Sequence, residues 1–232
     1  MSSQQPDLAF TARRSAVYAR KGMVAASQPL AAEAGLQILR AGGNAVDAAI
    51  AVAAALGVTE PCSTGLGGDC FLLYYNAETK AVEALNGSGR AAKAATLERV
   101  VQDCYGGGSG SGGGGGGGGV DMTGRTVEHK GDAEDGQPQT SMPPFHAHSI
   151  TVPGTAGGWD AAVAKWGTMP LAQVLAPAID LAENGYPVAP ICAHHWGRGV
   201  PQLRRGPHAN EVRGAVVCML WARRRVARRR VL

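Results

Sequence analysis

The chain has 232 residues, 45% of them apolar and 5% aromatic, enough for one substantial domain or a large part of one. Its formal charge of +4 does not describe a basic body: from Arg204 onward nine arginines face the single acid Glu211, a local +8, which leaves residues 1–203 at −4. That split argues against a nucleic-acid-binding body, and five cysteines with no C-x-x-C pair argue against a metal finger.

The cysteines, Cys62, Cys70, Cys104, Cys192 and Cys218, read as reduced and mostly buried thiols. The first twenty residues hold no apolar run long enough for a secretory signal, and no later stretch spans a membrane without polar interruption. A cytoplasmic location is therefore expected, with Arg13, Arg14 and Arg20 keeping an organelle-transit reading open.

Residues 1–21 read as an N-terminal extension. Gly22 to Ser27 predicts a short strand ending at a Ser27 cap, and a helix follows with Pro29 in its first turn and its stop at Gly42-Gly43. Asn44 caps the next helix, with Asp47 three positions on as a carboxylate near the positive helix end. From Ala48 to Val58 that helix is small or apolar on every side and should be buried all round.

Pro61 and the glycines Gly65, Gly67 and Gly68 break regular structure before the apolar run Cys70 to Tyr75. Asn76 to Lys80 is a turn and Ala81 to Leu85 the returning strand, so residues 70–86 form a hairpin that delivers Asn86 to Arg90 at its open end. Thr96 caps a short helix reaching Gln102.

Residues 106–144 read as an insertion, glycine-rich to Gly119 and polar loop beyond, without capacity for a core. Order resumes with a strand over Ser149 to Val152, a turn over Pro153 to Gly158, and helices over Asp160 to Trp166 and Leu171 to Glu183, the latter ending at Asn184-Gly185. Pro177 either kinks the second of these or sits in its opening turns. The body is expected to end at residue 203 and the basic tail to occupy 204–232.

Three blocks in this order resemble the γ-glutamyltranspeptidase (glutathione hydrolase) family, in the part of its precursor that becomes the large subunit. The first contains Ala26-Ser27-Gln28-Pro29-Leu30-Ala31 and Ile38-Leu39-Arg40-Ala41-Gly42-Gly43-Asn44-Ala45-Val46-Asp47. The second holds Glu60-Pro61, Gly65-Leu66-Gly67-Gly68-Asp69 and the hairpin to Gly89-Arg90-Ala91. The third runs from Val152-Pro153-Gly154 through Trp166-Gly167-Thr168-Met169-Pro170-Leu171 to Gly185-Tyr186-Pro187-Val188.

The resemblance implies an α+β fold: part of an N-terminal-nucleophile hydrolase, an αββα sandwich, with only the large-subunit part present. It implies an enzyme whose precursor cuts itself to expose a threonine, with that residue's own amine as base. Glutathione or another γ-glutamyl compound would be the substrate, water or an amino acid the acceptor, and no cofactor or metal is implied. By the same resemblance Arg90 would grip the substrate α-carboxylate, for which a guanidinium fork offers two parallel charge-assisted hydrogen bonds. Gly87 and Gly89 would let the backbone turn sharply and leave room for ligand.

The nucleophile segment of the family lies downstream of the third block, so no catalytic residue is assigned, and Thr151, Thr155 and Thr168 are not candidates. The absent small-subunit portion is the implied partner. Ala91-Ala92 stands where the family has proline after the alanine. Without that portion the Ala48–Val58 helix should expose an apolar face. The alternative is a non-catalytic fragment that binds γ-glutamyl ligands or serves as a scaffold. His146, His148, His194 and His195 read as loop residues, Gly65 to Gly68 as close backbone packing, and the arginine tail as outside the family frame.

Overall fold

The computed structural model describes residues 15–105, 119–120, 126–127 and 147–205. The first helix, α1 (Pro29–Arg40), opens with proline at the position that needs no helical N–H donor, and its basic end Arg40 pairs with Glu33 at 2.8 Å. Residues 22–27 form no strand, and the helix cap is Gln28 rather than Ser27. The Ser27 hydroxyl instead donates to the Glu60 carboxylate at 2.8 Å, and Gln28 donates to the other oxygen at 2.7 Å. A long-range acceptor has displaced the local cap.

Gly42 takes φ of +96°, the left-handed turn that separates α1 from α2 (Ala45–Thr59). Gly43 has no room for a side chain, since a Cβ there would meet Ile38 Cγ2 at 2.6 Å and Met169 Sδ at 2.7 Å. The expected cap of α2 is a complete capping box. The Asn44 side chain accepts from Val46 N and Asp47 N, and Asp47 Oδ2 accepts Asn44 N at 2.9 Å.

Asp47 is fully buried, and its carboxylate also takes the Thr168 amide at 3.0 Å and hydroxyl at 2.8 Å. The cap therefore bolts α2 to the connection between α4 (Thr155–Trp166) and α5 (Leu171–Asn184). Small residues along α2 allow close approach: a Cβ on Gly35 of α1 would lie 2.6 Å from Val52. Ala51, Ala55 and Ile50 on α2, Ala31 and Ile38 on α1, Ala162 and Trp159 on α4, and Val174 on α5 share one core. Burial of a side chain such as Ile50 or Val174 contributes roughly 1.5–3 kcal/mol.

The apolar face expected to be open over Ala48–Val58 is exposed at Ala49 alone; Val52, Ala53, Leu56, Gly57 and Val58 are half-buried and the rest buried. The larger uncovered apolar surface lies elsewhere. Strands β1 (Cys70–Asn76) and β2 (Ala81–Gly87) pair antiparallel, with Leu73 opposite Ala84 and Tyr75 opposite Val82. One face packs Leu72, Tyr74 and Leu85 onto the helical core. The other leaves Phe71, Leu73, Tyr75 and Val82 between 58% and 79% exposed.

Helix α3 (Leu97–Tyr105) starts at Thr96, whose hydroxyl accepts Arg99 N at 3.2 Å. Within the expected insertion, β3 (Gly119–Val120) pairs with β4 (Thr126–Val127), so that polar stretch is not loop throughout; the remainder of 106–146 lies outside the described residues. Residues 147–149 form a 3-10 turn and 150–154 belong to no helix or strand, so the strand expected over Ser149 to Val152 does not form. Helix α4 starts five residues before the expected Asp160, taking in Gly157 and Gly158. Gly158 is helical for a packing reason: a Cβ there would lie 3.0 Å from Cys70 Cβ.

Pro177 lies in the interior of α5, and Gly185, at φ of +76°, ends that helix as expected. A further helix, α6 (Pro190–Arg205), occupies a stretch where no element was expected. It carries His194 and His195, which are therefore helical and not loop residues, and it buries Cys192 and Trp196. Cys62 is exposed rather than buried, and Cys70 partly so; Cys104 and Cys218 are outside the side chains described. Among the described residues, no helix is long and apolar enough to cross a membrane.

Candidate functional site

Three separate segments meet at the open end of the hairpin: residues 65–69 before β1, residues 86–90 after β2, and residues 151–155 before α4. Gly68 O is the hub. It accepts Gly154 N and Thr155 N at 3.0 Å each and the buried Thr155 hydroxyl at 2.7 Å. Thr155 thus closes a backbone junction.

Asp69, directly before the first strand, binds the exit of the hairpin. Its Oδ1 accepts Gly89 N at 2.8 Å and the Thr151 hydroxyl at 3.2 Å, and its Oδ2 lies 3.5 Å from Ser88 Oγ. Asn86 Oδ1 accepts Ser88 N at 2.9 Å, an Asx turn that starts the loop. On the far side, Val152 N donates to Arg90 O at 2.9 Å.

The glycines here do a different job from the one expected. Neither Gly87 nor Gly89 has positive φ. A Cβ on Gly89 would overlap Val152 O and the Thr151 side chain, one on Gly154 would overlap Gly87 O, and one on Gly87 would lie 2.8 Å from Cys70 O. The space they leave is filled by neighbouring backbone and not by room for a ligand. Conversely, Gly65 and Gly67, read from sequence as close-packed, have nothing within 4 Å of an added Cβ.

Arg90 stands at the end of this loop, exposed. Among the described residues, no carboxylate lies within ion-pair range of its guanidinium, whereas Arg40 and Arg99 each have one. Asp69 is the residue whose part the sequence did not disclose. Its signal was modest: an acid closing a glycine-rich run immediately before a strand, twenty positions ahead of the amide it accepts.

The other polar groups serve the frame. Glu83 on β2 takes Lys165 at 2.6 Å and the Trp166 indole at 3.1 Å, contacts that pull its carboxyl below the ordinary range and tie the hairpin to α4. Asp103 accepts His148 at 2.8 Å and Arg99 at 3.1 Å, which lower its pKa in that order. That pair joins α3 to the 3-10 turn across the insertion. His146 is outside the described residues, and His194 and His195 stack edge to face on α6 with centroids 5.5 Å apart. Burial pushes up the thiols of Cys70 and Cys192. Among the described residues, no cluster of three His, Cys, Asp or Glu side chains could hold a metal ion. An open groove of about 520 Å³ runs between α1 and α5 past Leu30, Ile38, Met169 and Leu181, and none of its lining residues belongs to the Arg90 loop.

A family profile described as gamma-glutamyltranspeptidase matches residues 31–114 and 125–223, the second stretch running on past Arg205. The glutathione hydrolase-like YwrD proenzyme of Bacillus subtilis is 37% identical over 197 residues, covering 84% of this chain and 31% of that protein. The solved cephalosporin acylase of Bacillus halodurans is 39% identical with a TM-score of 0.66, over 88% of this chain and 31% of that one. The gamma-glutamyltranspeptidase of Helicobacter pylori is 28% identical with a TM-score of 0.61, over 85% and 47%. The chain thus spans about a third of the length of the YwrD relative, and its mixed helix and sheet form part of an N-terminal-nucleophile hydrolase fold. With the profile matching most of its length, the chain belongs to the gamma-glutamyltranspeptidase family.

Proposed function

We propose that this chain is the substrate-anchoring part of an enzyme that transfers the γ-glutamyl group of glutathione-type amides to water or to amino acids, with Arg90 gripping the substrate α-carboxylate. The observation that carries this reading is an exposed guanidinium without a carboxylate partner among the described residues, on a loop held at both ends by hydrogen bonds. A charge-assisted contact of this kind contributes roughly 1.5–3 kcal/mol.

Anchoring alone does not cut an amide. Cleavage needs a nucleophile and donors for the oxyanion, which the family supplies from its small-subunit portion. The relatives are proenzymes about three times as long as the aligned segment, which supports that portion as the partner of this one. The outward face of the hairpin, Phe71, Leu73, Tyr75 and Val82, is where we place its contact. The free thiols Cys62, Cys70 and Cys192 favour a reducing compartment such as the cytoplasm.

Calorimetric titration of the 232-residue chain with glutathione tests the anchor. Arg90→Ala should weaken binding at least about tenfold, as expected for loss of a charge-assisted pair; equal heats for the two proteins would sink the assignment. The same chain should release no product from a γ-glutamyl anilide, and turnover lost on Arg90→Ala would overturn that expectation. A second reading, cleavage of an acyl amide of a cephalosporin, draws on the 39% identity to the Bacillus halodurans acylase. Stronger binding of an acylated cephalosporin than of glutathione would favour it.

A further inference from the structure

We propose that Asp69 is a positioning residue for the Arg90 anchor, acting through the backbone on either side of Ser88 and Gly89; this rests on the reading of Arg90 given above. The Arg90 residue is bracketed. The amide immediately before it, Gly89 N, is held by Asp69 Oδ1 at 2.8 Å, and its own carbonyl is held by Val152 N at 2.9 Å. The residue that supplies the second clamp is itself set by Asp69, because Thr151, its neighbour, donates its hydroxyl to the same Oδ1 at 3.2 Å. One carboxylate thus fixes both the segment that carries Arg90 and the segment that clamps it.

Asp69 can do this because its own backbone is held on both sides. The preceding Gly68 carbonyl takes three donors from Gly154 and Thr155, and the following Cys70 opens the hairpin ladder opposite Gly87. A carboxylate offers several lone pairs, so one side chain can accept from an amide and a hydroxyl at once, and hydrogen bonds to an ionised acceptor are stronger than neutral ones. A fixed backbone spares the ligand the entropy of ordering the loop on binding. Gly89 is required by the same arrangement, since a Cβ there would strike Val152 O.

The test is glutathione binding by calorimetry to the full chain carrying Asp69→Ala, Asp69→Asn, Arg90→Ala and the Asp69→Ala/Arg90→Ala pair, with amide exchange at Gly89 followed by NMR. Asp69→Ala should lose about tenfold in affinity, the scale of freeing one ordered residue. Asp69→Asn keeps an oxygen for Gly89 N and should bind within about threefold of wild type, a rescue that an electrostatic role would not give. In the Arg90→Ala background, Asp69→Ala should cost nothing further.

Loss of binding on Arg90→Ala with Asp69→Ala unchanged overturns the positioning role alone. Wild-type affinity in Arg90→Ala overturns the anchor and the positioning role with it. Should Asp69→Ala fail to fold, the wild-type protein still decides: a Gly89 amide exchanging as fast as that of Ala92 overturns the proposal, and marked protection supports it.

Discussion

The α1–α2–α5 block and the open end of the hairpin differ in what covers them. In the block, the core side chains of α1, α2 and α5 pack against one another, and Asp47, the buried carboxylate among the described residues, is satisfied by Asn44 and Thr168. At the hairpin, one face is packed and the other bears four large apolar side chains in solvent. A two-stranded sheet with an uncovered face is marginal alone and needs further strands or a packed layer. The block packs against itself, whereas the hairpin leaves an apolar face open, the face on which we propose that a partner docks. Perturbations should therefore cost much in the first region and progressively less toward the outer face of the second.

The largest effect is expected from Asp47→Ala. It removes half of the capping box, and it leaves the Thr168 amide and hydroxyl without their acceptor. Cap loss costs about 1 kcal/mol and loss of the hydrogen bonds from Thr168 to a charged acceptor about 1.5–3 kcal/mol more. Denaturant titration should show a loss of about 2–4 kcal/mol; a loss under about 1 kcal/mol would break the idea that this carboxylate bolts the block together.

Next comes Gly89→Ala, at the junction between packed frame and site. The new Cβ would strike backbone and the Thr151 side chain rather than a flexible tip, so the strands must part. Overpacking of this kind costs about 1–3 kcal/mol. Gly65→Ala, in open space with no positive φ, is the control and should be nearly silent. Equal losses for the two would show that the close approach at Gly89 is not what fixes the loop.

The contrast between these glycines also marks how far the sequence could be read. Local signals held: the Asn44–Asp47 box, the Gly42 and Gly185 terminators and the turn between two apolar runs depend on residues a few positions apart. Long-range competition defeated the rest. Ser27 donates to Glu60 and not to a local cap; Gly157 and Gly158 look like a turn but lie in α4, where Gly158 faces Cys70 of the hairpin. Gly197, Gly199 and Pro201 weaken the sequence pattern of helix α6 and hide it. The proposed anchor, Arg90, comes from the family resemblance, whereas Asp69 shows its partners only when segments 69, 89 and 151 are brought together.

A smaller effect is expected where the hairpin rests on α4. Lys165 and Trp166 lower the Glu83 pKa, so the ionised form is favoured in the folded state. A carboxyl depressed on folding contributes above its unfolded pKa, and the contribution fades as pH falls through the folded value. Glu83→Gln should thus lower Tm slightly at neutral pH, with the difference from wild type shrinking as the pH falls below the ordinary carboxyl value of 4.5. A difference that persists unchanged in acid would assign the effect to packing of the side chain instead of its charge. The pair is exposed, so the effect is small at any pH.

The smallest change in stability belongs to the outer face. Leu73 is 79% exposed and lies opposite Ala84, so Leu73→Thr removes apolar surface from water without opening a cavity, and threonine suits a strand. Unfolding free energy should move by no more than about 0.5 kcal/mol, as for surface positions in general. Solubility should rise and binding of an apolar dye should fall, because the patch shrinks. Co-expressed with the remaining two-thirds of a family proenzyme, the same variant should associate less well than wild type. That pairing of silence alone with loss in the complex is what distinguishes an interface from a merely exposed leucine; a drop of 2 kcal/mol or more in the isolated chain, the roughly Leu-sized penalty of a filled core site, would place Leu73 inside a core instead.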